Sequence, residues 1–232
     1  MLNARMSYVL TPPPPASVSI AGQRALFPVR RVFCVGRNYA DHVREMGADP
    51  KSEPPIFFTK PADAVTQAPA VPYPPGTKDL HHEVELVLAL GSGGAGIAEA
   101  DALQCIWGWG VGVDLTRRDL QAAAKKGGAP WDAAKAFDHS APISPLTPVS
   151  TAPAPAEARI WLSVNGAVRQ DSNVAQMIWS ATEIIAAASR LWTLSAGDLI
   201  FTGTPAGVGP LMRGDAVRCG VGDVELTFQV GD

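Results

Sequence analysis

Two glutamates, Glu83 and Glu85, stand one residue apart at the start of an apolar stretch that ends at Leu90. A strand alternates its side chains between two faces, so two such carboxylates share one face, about 7 Å apart. Like charges on a half-buried face repel each other and lose hydration, and a hard divalent cation that prefers carboxylate oxygens removes both penalties. The spacing favours a divalent-cation site, and the alternative is a solvated edge strand with two surface acids.

A third acid, Asp114, lies in the otherwise apolar sequence VGVDLT. Acidic side chains are seldom buried unless they are paired or bind a metal. Asp114 could therefore join Glu83 and Glu85 as a third ligand, with water molecules completing the coordination shell. The alternative is that Asp114 caps a helix that begins near Thr116.

A histidine and a glutamate, His42 and Glu45, are spaced to lie on one face of a short helix that is predicted to follow Asn38. A carboxylate beside a histidine fixes the tautomer of the imidazole and raises its basicity, which suits a general base that activates water. The alternative is an ordinary ion pair on the protein surface.

Three more polar side chains could act on a substrate. Lys135 lies in the apolar sequence AKAF after Pro130 and Trp131, and it could stabilise a developing oxyanion or enolate. The alternative is a surface lysine with a packed aliphatic stem. Arg118 and Gln121 share one face of a predicted helix just past the third acid, and they could bind a substrate carboxylate.

Two glycine-rich segments differ in what they predict. Residues 201–209 follow the apolar strand DLIF, and their backbone N–H groups and the Thr204 hydroxyl suit anion binding, although an ordinary tight turn is equally consistent. Residues 91–96 imitate a dinucleotide-binding fingerprint. The strand before them opens with His-His-Glu-Val-Glu and no repeated βαβ pattern surrounds them, so we do not predict a dinucleotide site there.

The elements that must position these residues form a single α+β domain that is mainly β. Many prolines and glycines separate the elements, and no regular βαβ alternation or repeat is visible. The predicted strands are residues 18–20, 25–27, 31–35, 56–59, 83–90, 111–115, 199–202 and 224–230, with a hairpin over 159–169 that turns at Asn165 and Gly166. The predicted helices are residues 98–106, 117–126 and a segment that ends near Leu191 after a capping box of Ser180 and Glu183.

The composition limits the class of protein. The 232 residues are 47% hydrophobic and 18% charged, which suits a sizeable folded core. A net charge of −3 without a basic excess gives no indication of nucleic acid or an anionic membrane as a partner. Neither a signal peptide nor an apolar run of membrane-spanning length is visible, and the three dispersed cysteines suggest buried free thiols. We therefore expect a cytoplasmic protein.

Six segments resemble the fumarylacetoacetate hydrolase family, and within it most closely the branch of acylpyruvases and fumarylpyruvate hydrolases. The resemblance covers roughly residues 30–230. The segments are GRNYADHVREMG at 36–47, FFTKPADA at 57–64, KDLHHEVEL at 78–86, GVDLTRRDLQ at 112–121, PWDAAKAFDHSAP at 130–142 and GDLIFTGTPAGVGP at 197–210.

The resemblance implies a fold, a division of the chain and a set of site residues. It implies a mixed β-sandwich roll, usually dimeric, with a short N-terminal segment at residues 1–28 and a catalytic domain at residues 29–232. It implies Mg²⁺ or Mn²⁺ on Glu83, Glu85 and Asp114, and a water-activating dyad of His42 and Glu45. The family lysine matches Lys135, and the positions that contact substrate match Tyr39, Arg118, Gln121 and Thr204.

The reaction that the resemblance implies is metal-dependent hydrolysis of a carbon–carbon bond in a 2,4-dioxo acid. Fumarylpyruvate, which would give fumarate and pyruvate, is the substrate that the resemblance favours. Alternatives for the same site are decarboxylation of a 2-oxo acid such as oxaloacetate and isomerisation of a hydroxymuconate-type acid. A small-ligand binding module without catalytic activity is a further alternative.

Overall fold

The computed structural model describes residues 8–39 and 54–232. Strands hold 39% of the residues and helices 18%, so the predicted class, α+β and mainly β, is confirmed. The strands are β1 (Ser17–Ser19), β2 (Leu26–Pro28), β3 (Arg31–Gly36), β4 (Ile56–Lys60), β5 (Val65–Thr66), β6 (Ala70–Val71), β7 (Leu80–His82), β8 (Val84–Leu90), β9 (Ile106–Val113), β10 (Thr116–Arg117), β11 (Ala141–Pro142), β12 (Thr147–Pro148), β13 (Arg159–Val164), β14 (Ala167–Asn173), β15 (Asp198–Phe201), β16 (Gly209–Leu211), β17 (Ala216–Val221) and β18 (Val224–Val230). The helices are α1 (Arg118–Gly127), α2 (Asp132–Lys135) and α3 (Ala181–Leu191), with 3₁₀ turns at Ala62–Ala64, Glu99–Cys105 and Val174–Gln176.

Two large sheets form the body of the fold. The six-stranded sheet has the order β12-β9-β8-β15-β3-β4, and the five-stranded sheet has the order β14-β13-β17-β18-β6. β8 is antiparallel to both of its neighbours, β9 and β15, whereas β15 and β3 are parallel. The strand with the two glutamates at its start therefore lies in the interior of the larger sheet and not at its edge.

The core lies on both faces of β8. Leu86 and Leu88 belong to one apolar cluster, which also contains Ile160 of the five-stranded sheet, so this cluster joins the two sheets. Val87 and Ala89 belong to a second cluster on the other face. Because both faces are covered, a carboxylate on this strand cannot lie at a solvated edge.

A three-stranded sheet brings the functional loops together. β7 lies between β10 and β16, and it is antiparallel to both. β7 leads into the first glutamate, β10 follows the buried aspartate, and β16 follows the glycine-rich segment 201–209. The register pairs Thr116 with His81 and Gly209 with His82. These three loops consequently meet at one end of β8.

Several local predictions are confirmed. Ser180 and Glu183 form the capping box at the start of α3. Asn165 and Gly166, with φ of 51° and 80°, form the hairpin turn between β13 and β14, as a type I′ turn requires. Helix α1 ends at Gly127 and is followed by Gly128, which adopts the left-handed conformation with φ of 64°.

One local prediction is wrong and two are displaced. The segment predicted as a helix over 98–106 forms only the 3₁₀ turn Glu99–Cys105, which lies in the connection between the antiparallel strands β8 and β9 and whose N-cap residue, Ala98, provides no side-chain hydrogen bond. Strand β9 ends at Val113, so Asp114 follows the strand instead of lying within it. The predicted element at Glu83 is likewise interrupted, since that residue separates β7 from β8.

The two predicted strands nearest the N-terminus are present as β1 and β2, which pair as an antiparallel hairpin. Val18 and Phe27 of this hairpin pack in the same apolar cluster as Val32 and Cys34. The cysteines at 34, 105 and 219 are buried free thiols, as predicted. No helix in the described ranges has the length and apolar character needed to cross a membrane.

Candidate active site

Three acids converge beside the start of β8. The register pairs Val84 with Val113, which brings the residues Glu83 and Asp114 side by side, and the backbone N–H of Asp114 donates to the carbonyl of Glu83 at 2.8 Å. Glu83, Glu85 and Asp114 are only 8%, 1% and 0% exposed. One carboxylate oxygen of each lies within 4.8 Å of the others. The structure thus brings together the three acids that the sequence singled out.

The alternatives for these acids do not fit the geometry. A solvated strand edge is excluded by the burial of Glu83 and Glu85. Helix α1 begins at Arg118 and has no side-chain cap, while the carboxylate of Asp114 contacts lysines. Asp114 is therefore not a helix cap.

Lys135 lies against two of the acids. Its Nζ donates to Oε2 of Glu83 at 2.8 Å, to Oδ2 of Asp114 at 2.6 Å and to the hydroxyl of Thr116 at 2.6 Å. The side chain is 2% exposed, so the alternative of a surface lysine with a packed aliphatic stem is excluded. Burial disfavours its charge, but Asp114 and Glu83 outweigh burial and raise the pKa of Lys135 above its ordinary value.

A second buried lysine, Lys60, was not singled out by the sequence. Its Nζ lies 2.8 Å from Oδ1 of Asp114, donates to the carbonyl of Leu115 at 3.3 Å, and donates to the carbonyl of Lys135. The signal that could have revealed it is a single charge that ends the apolar strand IFFTK. A lysine at the end of a strand, however, usually reaches solvent.

The remaining acid, Glu85, has no cation in contact among the described residues. Its Oε2 accepts a hydrogen bond from the backbone N–H of Gly203 at 2.7 Å. Burial, and then the charges of Asp114 and Glu83, raise the pKa of Glu85 well above its ordinary value. The opposite holds for Glu83: despite burial, Lys135 and Arg118 lower the pKa of its carboxyl group. Among the three acids, Glu83 and Asp114 contact cationic side chains, whereas Glu85 contacts none in the described residues.

These residues fit a hard divalent cation. The donor set of Glu83, Glu85 and Asp114 contains only carboxylate oxygens, which Mg²⁺ and Mn²⁺ prefer. Within the described part of the chain, Oδ1 of Asp114 accepts no hydrogen bond, because Lys60 approaches it as an ion pair off the hydrogen-bonding direction. A cation between the three acids would supply the positive charge that is missing next to Glu85.

A small cleft opens over the acids. Its walls include several residues that the sequence predicted for substrate or metal: Glu83, Glu85, Arg118, Gln121, Lys135 and Thr204. Arg118 donates to Glu83 and to Oε1 of Gln121, and its Nε donates to His81. The arginine is thus held in place by its neighbours, and the amide nitrogen of Gln121 has no hydrogen-bond partner within residues 8–39 and 54–232.

The glycine-rich segment after β15 closes one side of the cleft. Gly203 has a φ of 101°, and a Cβ there would lie 2.6 Å from the Cβ of Asn38, so only glycine fits without strain. The Thr204 hydroxyl accepts a hydrogen bond from Gln170 at 2.8 Å. By contrast, a Cβ on Gly93 of the fingerprint-like segment would meet the backbone of Leu194 at 2.3 Å, which explains that glycine by chain packing.

Some predicted site residues cannot be placed in the cleft. His42 and Glu45 lie outside the described residues, so the dyad stays a prediction. Tyr39 is buried and pairs its backbone with Met177. Burial, and then Glu85, raise the pKa of Tyr39 above its ordinary value, and its hydroxyl has no hydrogen-bond partner among the residues described.

Comparisons with known proteins agree on one family. The model of the fumarylacetoacetate (FAA) hydrolase C-terminal domain matches residues 31–230. The chain is similar to the fumarylpyruvate hydrolase from Pseudomonas aeruginosa, whose crystal structure is a complex with Mn²⁺ and pyruvate. The two sequences are 47% identical, the match covers 97% of this chain and 99% of that chain, and the TM-score is 0.94. A candidate fumarylpyruvate hydrolase from Burkholderia cenocepacia is 55% identical, with coverage of 97% and 99% and a TM-score of 0.91. The human mitochondrial oxaloacetate tautomerase FAHD1 is 42% identical over 203 residues, which are 87% of this chain and 91% of that protein.

Proposed function

The chain belongs to the fumarylacetoacetate hydrolase family, and we propose that it hydrolyses a carbon–carbon bond in a 2,4-dioxo acid, with fumarylpyruvate as the preferred substrate. The observation that carries the proposal is the convergence of three buried carboxylates at a cleft that also contains Lys135 and Thr204. The similarity to a fumarylpyruvate hydrolase over nearly the whole of both chains supports this choice of substrate.

In this proposal Glu83, Glu85 and Asp114 hold Mg²⁺ or Mn²⁺. The similar protein from Pseudomonas aeruginosa binds Mn²⁺, which supports a divalent cation without deciding between the two metals. Such a cation, when bound, acts as a Lewis acid that draws electrons from a 2-oxo acid. The rest of the proposal concerns what the residues of this chain do.

The dyad of His42 and Glu45 removes a proton from a water molecule, which then adds to the carbonyl carbon at position 4 of the substrate. The bond between carbons 3 and 4 breaks, and its electron pair goes to carbon 3. Protonation of carbon 3 gives pyruvate, and the acyl half leaves as fumarate. One water is consumed for each substrate, and no oxidant or reductant is required.

Lys135 stabilises the oxyanion that forms at carbon 4 in this proposal. In the structure Glu83, Asp114 and Thr116 use its three N–H donors. A divalent cation on the two carboxylates would neutralise the charge that attracts the ammonium group, and one donor could then turn to the substrate. The buried position excludes bulk water, which strengthens such an interaction.

Oxaloacetate keto–enol tautomerisation is a second candidate function. The observation that favours it is the 42% identity with the human mitochondrial oxaloacetate tautomerase FAHD1. This reaction moves a proton between carbon and oxygen and needs no attacking water. The same cleft could therefore carry it, with the dyad acting on a substrate proton.

A substrate panel distinguishes these functions. Fumarylpyruvate, acetylpyruvate and oxaloacetate are each incubated with the protein and Mn²⁺, and again with a chelator, while pyruvate, fumarate and the enol absorbance are measured. Equimolar pyruvate and fumarate from fumarylpyruvate, abolished by chelation, is the expected result. Loss of the enol absorbance of oxaloacetate without release of pyruvate would instead favour the tautomerase. Asp114→Asn serves as the matched inactive control.

Three further predictions from the family resemblance belong to this proposal. We propose a homodimer, which light scattering coupled to gel filtration tests directly. We also propose a division into a short N-terminal segment at residues 1–28, whose hairpin packs against the rest of the fold, and a catalytic domain at 29–232, which removal of residues 1–28 would test. A cytoplasmic location stays a prediction, since the relatives include a mitochondrial protein.

A further inference from the structure

Gln170 is a buried polar residue in a strand that is otherwise largely exposed. It lies in β14, at the edge of the five-stranded sheet, where its neighbours Arg169 and Asp171 are exposed and Gln170 itself has no exposed surface. Burying an amide group is unfavourable unless its hydrogen bonds are made. The burial of this one side chain therefore requires partners.

The amide of Gln170 makes four hydrogen bonds. Its Oε1 accepts from the backbone N–H of Val84 at 3.1 Å and from Nδ1 of His82 at 2.9 Å. Its Nε2 donates to the hydroxyl of Thr204 at 2.8 Å and to the carbonyl of Pro205 at 2.9 Å. Two acceptor and two donor positions are thus filled, which is the full capacity of the group. The side chain links the strand of the two glutamates to the glycine-rich segment.

The orientation of this amide has no alternative. A backbone N–H can only donate, so the atom that faces Val84 must be the oxygen, and a carbonyl can only accept, so the atom that faces Pro205 must be the nitrogen. It follows that Nδ1 of His82 carries a proton and donates to Gln170.

The consequence for Thr204 is a fixed direction of donation. Because Nε2 of Gln170 donates to the Thr204 oxygen, the hydroxyl proton must point elsewhere. No acceptor for this proton is found in residues 8–39 and 54–232, and Thr204 lines the cleft with Glu83 and Lys135. The neighbouring Gly203 N–H is already used by Glu85, so the Thr204 hydroxyl is a donor that this segment can still offer at the cleft.

We propose that Gln170 is a positioning residue that directs the Thr204 hydroxyl proton towards an anionic oxygen of the bound 2-oxo acid. The proposal rests on the proposed function in one respect, namely that Thr204 contacts the substrate. Gln170 itself touches no ligand, and it acts by keeping Thr204 a donor instead of an acceptor. If the role of Gln170 were purely structural, it would only link Val84 to Pro205, and its effect on ligand binding would not depend on Thr204.

The test compares Gln170→Glu with Thr204→Val, singly and combined, by calorimetric titration of the Mn²⁺-loaded protein with pyruvate. A carboxylate at position 170 can still accept hydrogen bonds from the Val84 N–H and from His82. Unlike the amide, however, it would also accept a hydrogen bond from the Thr204 hydroxyl, which turns the hydroxyl proton away from the cleft. We expect each single change to raise the Kd for pyruvate about tenfold, as the loss of one hydrogen bond to a charged group predicts.

The double variant decides between positioning and structure. If Gln170 acts through Thr204, adding Gln170→Glu to Thr204→Val leaves the Kd unchanged. A further tenfold weakening in the double variant would overturn the proposal, and so would failure of the parent protein to bind pyruvate. Gln170→Met removes the donor without adding a charge and replaces Gln170→Glu if the latter does not fold. Gln23→Glu, an exposed site in the N-terminal hairpin, is the control for the charge.

The result is independent of which reaction the protein catalyses. If fumarylpyruvate is not hydrolysed but pyruvate binds and the two changes are coupled, only the proposed function fails. In the hydrolysis assay Gln170→Glu is expected to raise KM by about the same tenfold as the Kd for pyruvate, with a smaller change in kcat.

Discussion

The Nζ atom of Lys60 lies 2.8 Å from Oδ1 of Asp114, and neither side chain is exposed to solvent. The other oxygen of the same carboxylate, Oδ2, is 2.6 Å from Nζ of Lys135. Lys60 also donates to the backbone carbonyl of Lys135, so one buried lysine holds the other in position. Asp114 is therefore held by a lysine at each of its two oxygens. Lys60 comes from strand β4 and Lys135 from helix α2, and together they provide the positive charge around this carboxylate.

We expect Lys60→Met to destabilise the metal-free protein by about 3 kcal/mol, because removing one partner of a buried ion pair leaves an uncompensated charge. The free energy of unfolding is measured by denaturant titration in the presence of a chelator. Lys78→Met, at an exposed position, is the matched control and should change stability by less than about 0.5 kcal/mol. Equal losses for the two variants would contradict a structural role for the Lys60 pair.

Glu85→Gln should stabilise the metal-free protein and abolish its stabilisation by Mn²⁺. Glutamine can still accept the hydrogen bond from Gly203, but it does not add a buried negative charge beside Asp114 and Glu83. The parent protein with saturating Mn²⁺ should gain about 2.7 kcal/mol at a hundredfold excess over Kd, and the variant none. A variant that responds to Mn²⁺ as the parent does would remove Glu85 from the metal site.

The pH dependence of this difference follows from the raised pKa of Glu85. A group whose folded pKa is raised contributes stability that is complete below its unfolded pKa and is lost as the pH rises through the folded value. The stability advantage of Glu85→Gln over the parent should therefore increase from about pH 4, near the unfolded pKa of a glutamate, and then level off. A difference that is constant between pH 4 and pH 8 in the presence of chelator would contradict the assignment.

The sequence predicted the three acids because each had a local signal. Glu83 and Glu85 share the period of a strand whose other positions are apolar, and Asp114 stands alone in an apolar segment. Their convergence depends on the pairing of β8 with β9, two strands that are close in sequence and therefore easy to predict as neighbours. The helix α1 and the capping box of α3 were likewise encoded within a few residues.

Lys60 and Gln170 could not be predicted in the same way, because their burial depends on contacts distant in sequence. Lys60 is covered by Lys135, 75 residues away, and Gln170 bonds to His82, 88 residues away. In the sequence AVRQDSN a glutamine between charged residues is typical of an exposed strand. The 3₁₀ turn at Glu99–Cys105 was misjudged for a related reason, since the geometry of the connection between β8 and β9 decides its form.

Gly203→Ala should destabilise the protein by about 3 kcal/mol or more. Its φ of 101° is unfavourable for alanine, and the new Cβ would lie 2.6 Å from the Cβ of Asn38. Gly214→Ala is the matched control, since Gly214 has a φ of 86° but open space around its Cβ position. It should cost about 1 kcal/mol, from backbone strain alone. Equal effects in thermal unfolding would show that the contact with Asn38 relaxes without cost.

His42→Ala should lower kcat for hydrolysis by about 10² or more, since a positioned general base contributes 10²–10⁴. The Kd for Mn²⁺, measured by calorimetry, should stay within about twofold of the parent value, because the three carboxylates are unaltered. Asp41→Ala, a neighbouring change of an acidic residue, serves as the control. A variant with normal turnover would exclude the proposed dyad from the reaction.

Lys135→Met is expected to have opposite effects on metal binding and on catalysis. The ammonium group of Lys135 occupies the oxygens of Glu83 and Asp114, so a divalent cation must compete with it for their charge. Removal of the lysine should therefore lower the Kd for Mn²⁺ several-fold, while the loss of an electrostatic donor to the oxyanion lowers kcat by about 10²–10³. Lys126→Met, exposed near the end of helix α1, controls for the loss of a positive charge and should change neither quantity. Weaker Mn²⁺ binding in Lys135→Met would contradict the first expectation and mean that the lysine holds the two carboxylates in their binding geometry. Tighter Mn²⁺ binding with an unchanged kcat would contradict the second and mean that Lys135 does not act on the substrate.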